Sequence, residues 1–105
     1  MKMKIEKIRQ ICNDEMIEVT RHALDRFMKR GIKYSDVKNA IMTGEIIEPY
    51  PEDYPHPSCL ILGSSLEKLL VHVVVGYTDY KLWIITAYYP DVDMWEDGFK
   101  SRKEK

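Results

Sequence analysis

The chain has 105 residues, of which 45% are hydrophobic and 31% charged, and its formal net charge at pH 7 is −1. This composition is that of one ordinary soluble domain, so we expect a single domain over residues 1–105. Its apolar runs are far shorter than the roughly 20 residues that cross a membrane, and no signal-peptide core is present, which favours a cytoplasmic location without membrane contact. The near-neutral charge also excludes strong nonspecific binding to nucleic acid, so any such site must be small and local.

The charges are unevenly distributed along the chain. Residues 1–44 hold ten Lys and Arg against six Asp and Glu, a net +4, whereas residues 45–99 hold two against ten, a net −8. The last six residues, KSRKEK, are again basic, and we expect this charged tail over residues 100–105 to be frayed. A polyanionic partner would therefore meet the first half of the chain, and a basic partner the second.

Three helices are predicted before residue 45. Apolar residues at helical spacing predict the first helix over residues 4–13. The capping preferences of Thr, Ser and Gly predict two more, which begin and end at Thr20 and Gly31, and at Ser35 and Gly44.

Strands follow residue 44. EIIEPY predicts a short strand, and the prolines after it predict an extended loop. Three β-type runs come next, SCLILG, LLVHVVVGY and LWIITAYY, with turn-like segments between them. Loops this short pair consecutive strands as an antiparallel meander. We therefore predict an α+β fold in which the N-terminal helices pack on one face of a four-stranded antiparallel sheet.

A row of cations is predicted on the second helix. His22, Arg26 and Arg30 are four residues apart, so their side chains lie along one side of the helix. The imidazole would exchange protons with a reacting hydroxyl near neutral pH, and the two guanidinium groups match phosphate oxygens with paired donors. The alternative interpretation is a solvated face whose cations pair with acids such as Glu45 or Glu48.

Three polar residues interrupt the last two strands. By alternation His72 points away from its valine neighbours, and Thr86 shares a face with Tyr88. The same alternation predicts that four other residues of the last strand lie on its opposite face, namely Trp83, Ile85, Ala87 and Tyr89. If the polar faces coincide beside the cation row, these groups would join it in one site. Alternatively, His72 is a core histidine with a hydrogen-bond partner and Thr86 is a plain strand former.

No metal or cofactor site is predicted. The three His and two Cys residues are scattered without ligand spacing, and the five glycines form no phosphate-binding loop. Cys12 and Cys59 are expected to be reduced thiols.

Several motifs are distributed over about residues 17–97. They are HALDRFMKRGI, YSDVKNAIMTGEIIEPYPEDYPHPSCLILG, LVHVVVGY and IITAYYPDVDMW. Together they resemble the domain-of-unknown-function family 4258. The residues that carry the family's pattern are His22, Ala23, Arg26, Arg30, Gly31, Ile32, Asp36, Val37, residues 44–48, residues 72–74, Ile84, Thr86, Tyr88 and Pro90.

The resemblance implies a RelE-like or barnase-like ribonuclease toxin of a prokaryotic toxin–antitoxin system. Such a toxin cleaves RNA without a metal, in some systems at the ribosome. It is controlled by a cognate antitoxin, in some systems of the zinc-ribbon type. The acidic strand half of this chain departs from the ribonuclease-toxin type.

The reaction implied by the resemblance is transesterification by the ribose 2′-OH. Proton transfer is assigned to His22 and His72 in either order, and hydrogen-bond donation to Thr86 and Tyr88. The phosphate-binding residues are Arg26 and Arg30. Two other interpretations stay open: a non-catalytic RNA- or protein-binding regulatory module of the same fold, and a structural protein whose cations pair internally.

Overall fold

The computed structural model describes residues 4–96 and 98–103, and within them three helices and five strands. In chain order these are α1 (Ile5–Asn13), β1 (Ile17–Val19), α2 (Arg21–Lys29), α3 (Tyr34–Thr43), β2 (Glu45–Tyr50), β3 (Ser58–Ser64), β4 (Leu70–Tyr77) and β5 (Leu82–Tyr88). The α+β class is therefore confirmed.

The sheet has five strands, in the order β1-β5-β4-β3-β2. β2 to β5 form the predicted antiparallel meander. β1 is an additional strand, and it lies parallel to β5, with Ile17 opposite Leu82 and Val19 opposite Ile84. The prediction of a four-stranded, wholly antiparallel sheet is therefore wrong. Three residues are too few to show a strand period, and β1 forms because β5 offers it a free edge.

The helices pack on one face of the sheet, which we call the helix face, and we call the other the distal face. The buried core on the helix face joins side chains of all three helices to alternate residues of the strands. On β4 these are Val71, Val73 and Val75, so His72 lies on the distal face, as predicted. The longest helix has ten residues, so none in the described part of the chain could span a bilayer.

The ends of α2 follow from its capping residues. The hydroxyl oxygen of Thr20 accepts a hydrogen bond from the backbone N–H of Ala23, at 3.1 Å, so Thr20 is the N-cap. Gly31 has a φ of +82°, and its N–H donates to Met28 O at 3.0 Å. This left-handed glycine ends the helix as predicted, because a residue with a Cβ adopts that φ only with strain.

The start of α3 differs from the prediction. Lys33 is the N-cap, and its backbone N–H donates to the carboxylate of Asp36 at 3.0 Å. The predicted cap, Ser35, lies within the first turn. The acid three residues after the cap decides the boundary, because it pairs with a backbone donor that the helix leaves unsatisfied.

A bulge in β5 changes which of its residues share a face. Val74 lies opposite Thr86, but Val75 lies opposite Ile84, so Ile85 is an extra residue. Thr86 and Tyr88 share the distal face, as predicted. Trp83 also lies on the distal face, because its neighbours on either side belong to the core. Its predicted placement opposite Thr86 is wrong, since alternation alone does not anticipate a bulge.

The C-terminal segment crosses the distal face, and we call its described residues, 91–96 and 98–103, the strap. Trp95 is buried and pairs with Arg102 in an isolated bridge. Lys100 forms an ion pair with Glu45 at 2.8 Å, and Arg102 pairs with Glu48 at 2.9 Å. The prediction of a frayed tail is therefore wrong at Lys100 and Arg102, while its last two positions, 104 and 105, lie outside the described residues.

Candidate functional site

The cation row lies on the accessible side of α2, next to β5. Ala23 and Phe27 face the core, and the row lies beside them. His22, Arg26 and Arg30 are all exposed. The four-residue spacing therefore produces the single accessible row that the sequence predicts.

Arg30 joins the end of α2 to the end of β5. Its Nη1 donates to the carbonyl oxygen of Ala87 at 2.8 Å and lies 3.3 Å from the hydroxyl oxygen of Thr86. The hydroxyl of Tyr89 lies 3.4 Å from the carbonyl oxygen of Gly31, which adds a second link between the same two ends. The guanidinium group is thereby held at the outer edge of the sheet.

The rest of the row faces solvent. Within residues 4–96 and 98–103, His22 and Arg26 have no hydrogen-bond or ion-pair partner. The acids considered as their partners, Glu45 and Glu48, pair with the strap instead. Internal ion pairing is therefore not what aligns these cations.

His72 is 0% exposed beneath the strap. Its Nε2 lies 3.0 Å from the carbonyl oxygen of Phe99, and its ring meets those of Trp95 and Tyr88 edge-on, with centroids 4.5 and 5.4 Å away. A carbonyl only accepts, so Nε2 carries the proton, and Nδ1 is buried without a partner among the described residues. Burial lowers the pKa of this imidazole, which favours its neutral form.

Tyr88 lies between the row and the strap. It is directly opposite His72 in the sheet, and its phenol is within electrostatic reach of Arg102, Glu48 and Arg30. Burial raises the pKa of the phenol, so its hydroxyl stays protonated and can donate a hydrogen bond. The structure therefore brings four of the predicted residues together, namely Arg30, Thr86, Tyr88 and His72. Among the described residues, it gives His22 and Arg26 no hydrogen bond or ion pair to these four.

A second polar cluster lies beside Tyr88 and was missed by the sequence. Arg102 donates to both carboxylate oxygens of Glu48, at 2.9 and 3.1 Å, and stacks over Trp95 at 4.6 Å. The hydroxyl of Tyr50 donates to Glu48 at 2.6 Å, and burial together with this bond raises the pKa of Tyr50 to about 12. The paired guanidinium keeps the pKa of Glu48 low. No local signal could have found this cluster, because 54 residues separate Glu48 from Arg102.

We expect His72 to make the protein less stable in mild acid. Folding lowers its pKa from the ordinary value of 6.5, so both states are neutral above that pH and no stability is lost. As the pH falls below 6.5, the unfolded chain takes up a proton that the folded chain resists, and stability decreases toward the folded pKa. His72→Gln keeps a donor for Phe99 and should remove this part of the pH dependence. Melting temperatures between pH 8 and 5 measure it.

The control for that experiment is His22→Gln, which changes an exposed histidine. Its melting temperature should depend on pH as the wild type's does. Parallel curves for the wild type and His72→Gln would show that the buried imidazole is not linked to stability.

The side chains that commonly bind metals are not clustered in the described part of the chain. No three His, Cys, Asp or Glu side chains of that part of the chain lie close enough to hold an ion together. Cys12 and Cys59 are both free thiols and both buried. Burial raises the pKa of each, that of Cys59 to about 12, which makes them poor nucleophiles at neutral pH.

Comparison with known proteins identifies the family. The family described as Domain of unknown function (DUF4258) matches residues 19–89, more than half of the chain. The chain belongs to DUF4258. The DUF4258 match runs from just before α2 through β5, so it includes the cation row and both Arg30 partners, while α1 and the strap lie outside it. No curated protein and no solved structure matches the chain.

Proposed function

We propose that the chain is a toxin-type ribonuclease that cleaves RNA by 2′-OH transesterification without a metal, on a RelE/barnase-like variant of this α+β fold. The contact of Arg30 with β5 is the observation that carries the proposal. It brings a guanidinium group to Thr86 and close to Tyr88, at an exposed edge of the sheet. The contacts with β5 use Nη1, so Nε and Nη2 are the donors that would bind phosphate oxygens.

The length of the row suits an RNA backbone better than a single phosphate. Arg30 follows His22 by eight positions, which is about 12 Å along the helix axis. RNA would lie along α2, with Arg26 at the centre of the row, and Arg26 and Arg30 would bind its phosphates. The basic half of the chain, residues 1–44, supplies the favourable field for this polyanion.

The reaction that we propose breaks one phosphodiester bond. The imidazole of His22 takes the proton of the ribose 2′-OH, and the 2′-oxygen attacks phosphorus. The bond from phosphorus to the 5′-oxygen breaks, and that oxygen takes its proton from water, because Tyr88 lies near Arg30 at the other end of the row. The products are a 2′,3′-cyclic phosphate and a 5′-hydroxyl, and His22 returns its proton to water.

The guanidinium groups would stabilise the charge that develops on the phosphate oxygens. Two correctly placed arginines supply this stabilisation, so the reaction needs no metal. His72 is assigned to hold Tyr88, since its ring packs edge-on against the phenol and the strap covers it. Tyr88 would donate a hydrogen bond to the phosphate that Arg30 binds, and of the two histidines assigned to proton transfer His22 keeps that role.

We further propose that the protein works in the cytoplasm under the control of an antitoxin. The two buried free thiols are compatible with a reducing compartment. The net −8 of residues 45–99 favours a basic antitoxin segment as the partner. Such a segment would compete with Lys100 and Arg102 for Glu45 and Glu48.

The test is single-turnover cleavage of a labelled RNA by the full chain, freed of any antitoxin. We expect cyclic-phosphate products, an unchanged rate in excess EDTA, and no cleavage where the scissile ribose is 2′-deoxy. An RNA that stays intact under all conditions, or cleavage that requires an added divalent ion, contradicts the proposal.

Arg26→Lys tests the phosphate contact within the same assay. An ammonium keeps the charge but loses the paired donors, so we expect the cleavage rate to fall on the order of 10²-fold. Arg21→Lys is the matched control, because it makes the same change on the same helix outside the row. Equal rates for the two variants would show that only the charge of α2 matters.

The burial of His72 favours a second candidate, a non-catalytic RNA-binding regulator. His72 has no exposed surface, and His56 is stacked on Trp83, so His22 is the most accessible of the three imidazoles. This candidate predicts that RNA binds but is not cut. The affinity for RNA should fall as the salt concentration rises. For each phosphate contacted, log K should decrease by about 0.7 for every tenfold increase in salt.

A further inference from the structure

A cleft opens on the distal face where β1 ends and α2 begins. Its volume is about 540 Å³, within the range of small-ligand sites. Its walls come from the β1–α2 junction at Thr20, from the loop that contains His56, and from the middle of β5. None of the groups assigned to the cleavage reaction lines it.

The walls of the cleft are aromatic and firmly held on one side. His56 and Trp83 stack in parallel, with centroids 4.3 Å apart and planes 11° apart. The indole N–H of Trp83 donates to Glu18 at 2.8 Å, which fixes the orientation of the ring. Because His56 covers one face of Trp83 and Lys81 Nζ also lies over that ring, 5.4 Å from its centroid, the outer face of His56 is the flat surface that would accept another planar ring by stacking.

The other side carries apolar groups that the fold itself does not cover. Tyr54 is 90% exposed and Ile85 is 47% exposed, and both line the cleft. The exposed ring of Tyr54 contributes little to the stability of the fold. It does provide apolar surface that a ligand in the cleft would bury.

Two carboxylates, those of Glu18 and Asp53, give the cleft its polarity. Glu18 accepts from Lys81 and from the indole N–H of Trp83, which lower its pKa and keep it ionised. Asp53 accepts from Ser58 at 2.6 Å. A carboxylate has about four acceptor sites, so both groups can accept further donors, and both disfavour a phosphate inside the cleft.

We infer that this cleft binds one base of the RNA and prefers a base with an amino group to uracil. The inference rests on the proposed function, because it takes the RNA backbone to follow the cation row. That row begins at His22, two residues after Thr20 in the wall of the cleft. The base would stack in the cleft while its amino group donates to Glu18 or Asp53, as carboxylates accept from the amino group of cytosine.

The test is a titration of the full chain with cytidine and with uridine, followed by NMR at the indole N–H of Trp83. Nucleosides carry no phosphate and are not cleaved, so the readout is independent of catalysis. We expect saturable shifts at Trp83 and not at Trp95, and cytidine should bind at least about fivefold more tightly than uridine.

Tyr54→Ala should weaken cytidine binding on the order of tenfold, through lost stacking. Tyr80→Ala is the matched control, because Tyr80 is 67% exposed and does not line the cleft. Glu18→Gln should reduce the preference for cytidine, since a neutral amide is a weaker acceptor than a carboxylate. Tyr54 is almost fully exposed, so its variant should fold as the wild type does.

The outcomes separate this inference from the proposed function. Nucleoside binding without RNA cleavage would support the cleft and contradict the nuclease. RNA cleavage without any nucleoside shift at Trp83 would overturn the cleft and leave the nuclease. Equal binding of the two nucleosides, or a cleft that takes only an antitoxin peptide, would also overturn the inference.

Discussion

His22→Ala is expected to lower the rate of RNA cleavage on the order of 10²–10⁴-fold, the usual contribution of a positioned acid or base. Stability should hardly change, because His22 is exposed and has no hydrogen-bond or ion-pair partner among the described residues. Single-turnover cleavage and thermal melts of the same preparations measure both effects.

Arg21→Ala is the control for that variant. Arg21 is exposed on the same helix but lies about 100° around it from His22 and outside the row, so its loss removes a cation without removing the proposed base. We expect its cleavage rate to stay within a few-fold of the wild type. If His22→Ala cleaves like the wild type, the nuclease proposal fails, and the RNA-binding regulator takes its place.

Gly63→Ala is expected to destabilise the protein by at least about 3 kcal/mol, at the upper end of what overpacking costs. Gly63 lies on β3 directly beneath α3, and a methyl group there would overlap the backbone of Ala40. Backbone atoms of a packed helix have no alternative rotamer, so α3 itself would have to move off the sheet. Since small domains are stable by only about 5–15 kcal/mol, urea or thermal unfolding should show the loss clearly.

Gly76→Ala is the matched control on the neighbouring strand β4. A methyl group there would meet its nearest neighbour, Ile85 Cδ1, at 3.5 Å, which is an ordinary contact. We expect a change of less than about 1 kcal/mol, because the extra methyl has room and alanine loses less backbone entropy than glycine on folding. Equal destabilisation by the two substitutions would mean that the close approach of α3 to β3 is not what requires Gly63.

The elements that the sequence predicts correctly are those encoded by neighbouring residues. Helical spacing of isoleucines predicts a helix over 4–13, and the structure has it over Ile5–Asn13. Thr20 and Gly31 delimit α2 through hydrogen bonds within a few residues of chain. Alternation likewise places His72 on the face opposite the core of β4. Each of these features depends on local geometry, so the order of neighbouring residues is enough to predict it.

Apart from the start of α3, which Asp36 decides locally, the errors lie where a distant segment decides the local structure. β1 exists because β5, more than 60 positions later, has a free edge for it. The bulge at Ile85 reverses the face of Trp83, and only the pairing of β5 with β4 reveals it. A rule based on strict alternation fails there, because a bulge adds one residue without leaving a mark in the residue pattern.

The candidate site divides in the same way. The sequence by itself determined the cation row, since a four-residue spacing on a capped helix aligns His22, Arg26 and Arg30 whatever else the chain does. Only the tertiary structure decided that Arg30 meets Thr86, 56 positions away, and that the strap buries His72. The physical reason is that a guanidinium or an imidazole finds its partner through packing. The packing of α2 beside β5 and of the strap across the distal face is a property of the whole core, which no window of neighbouring residues contains.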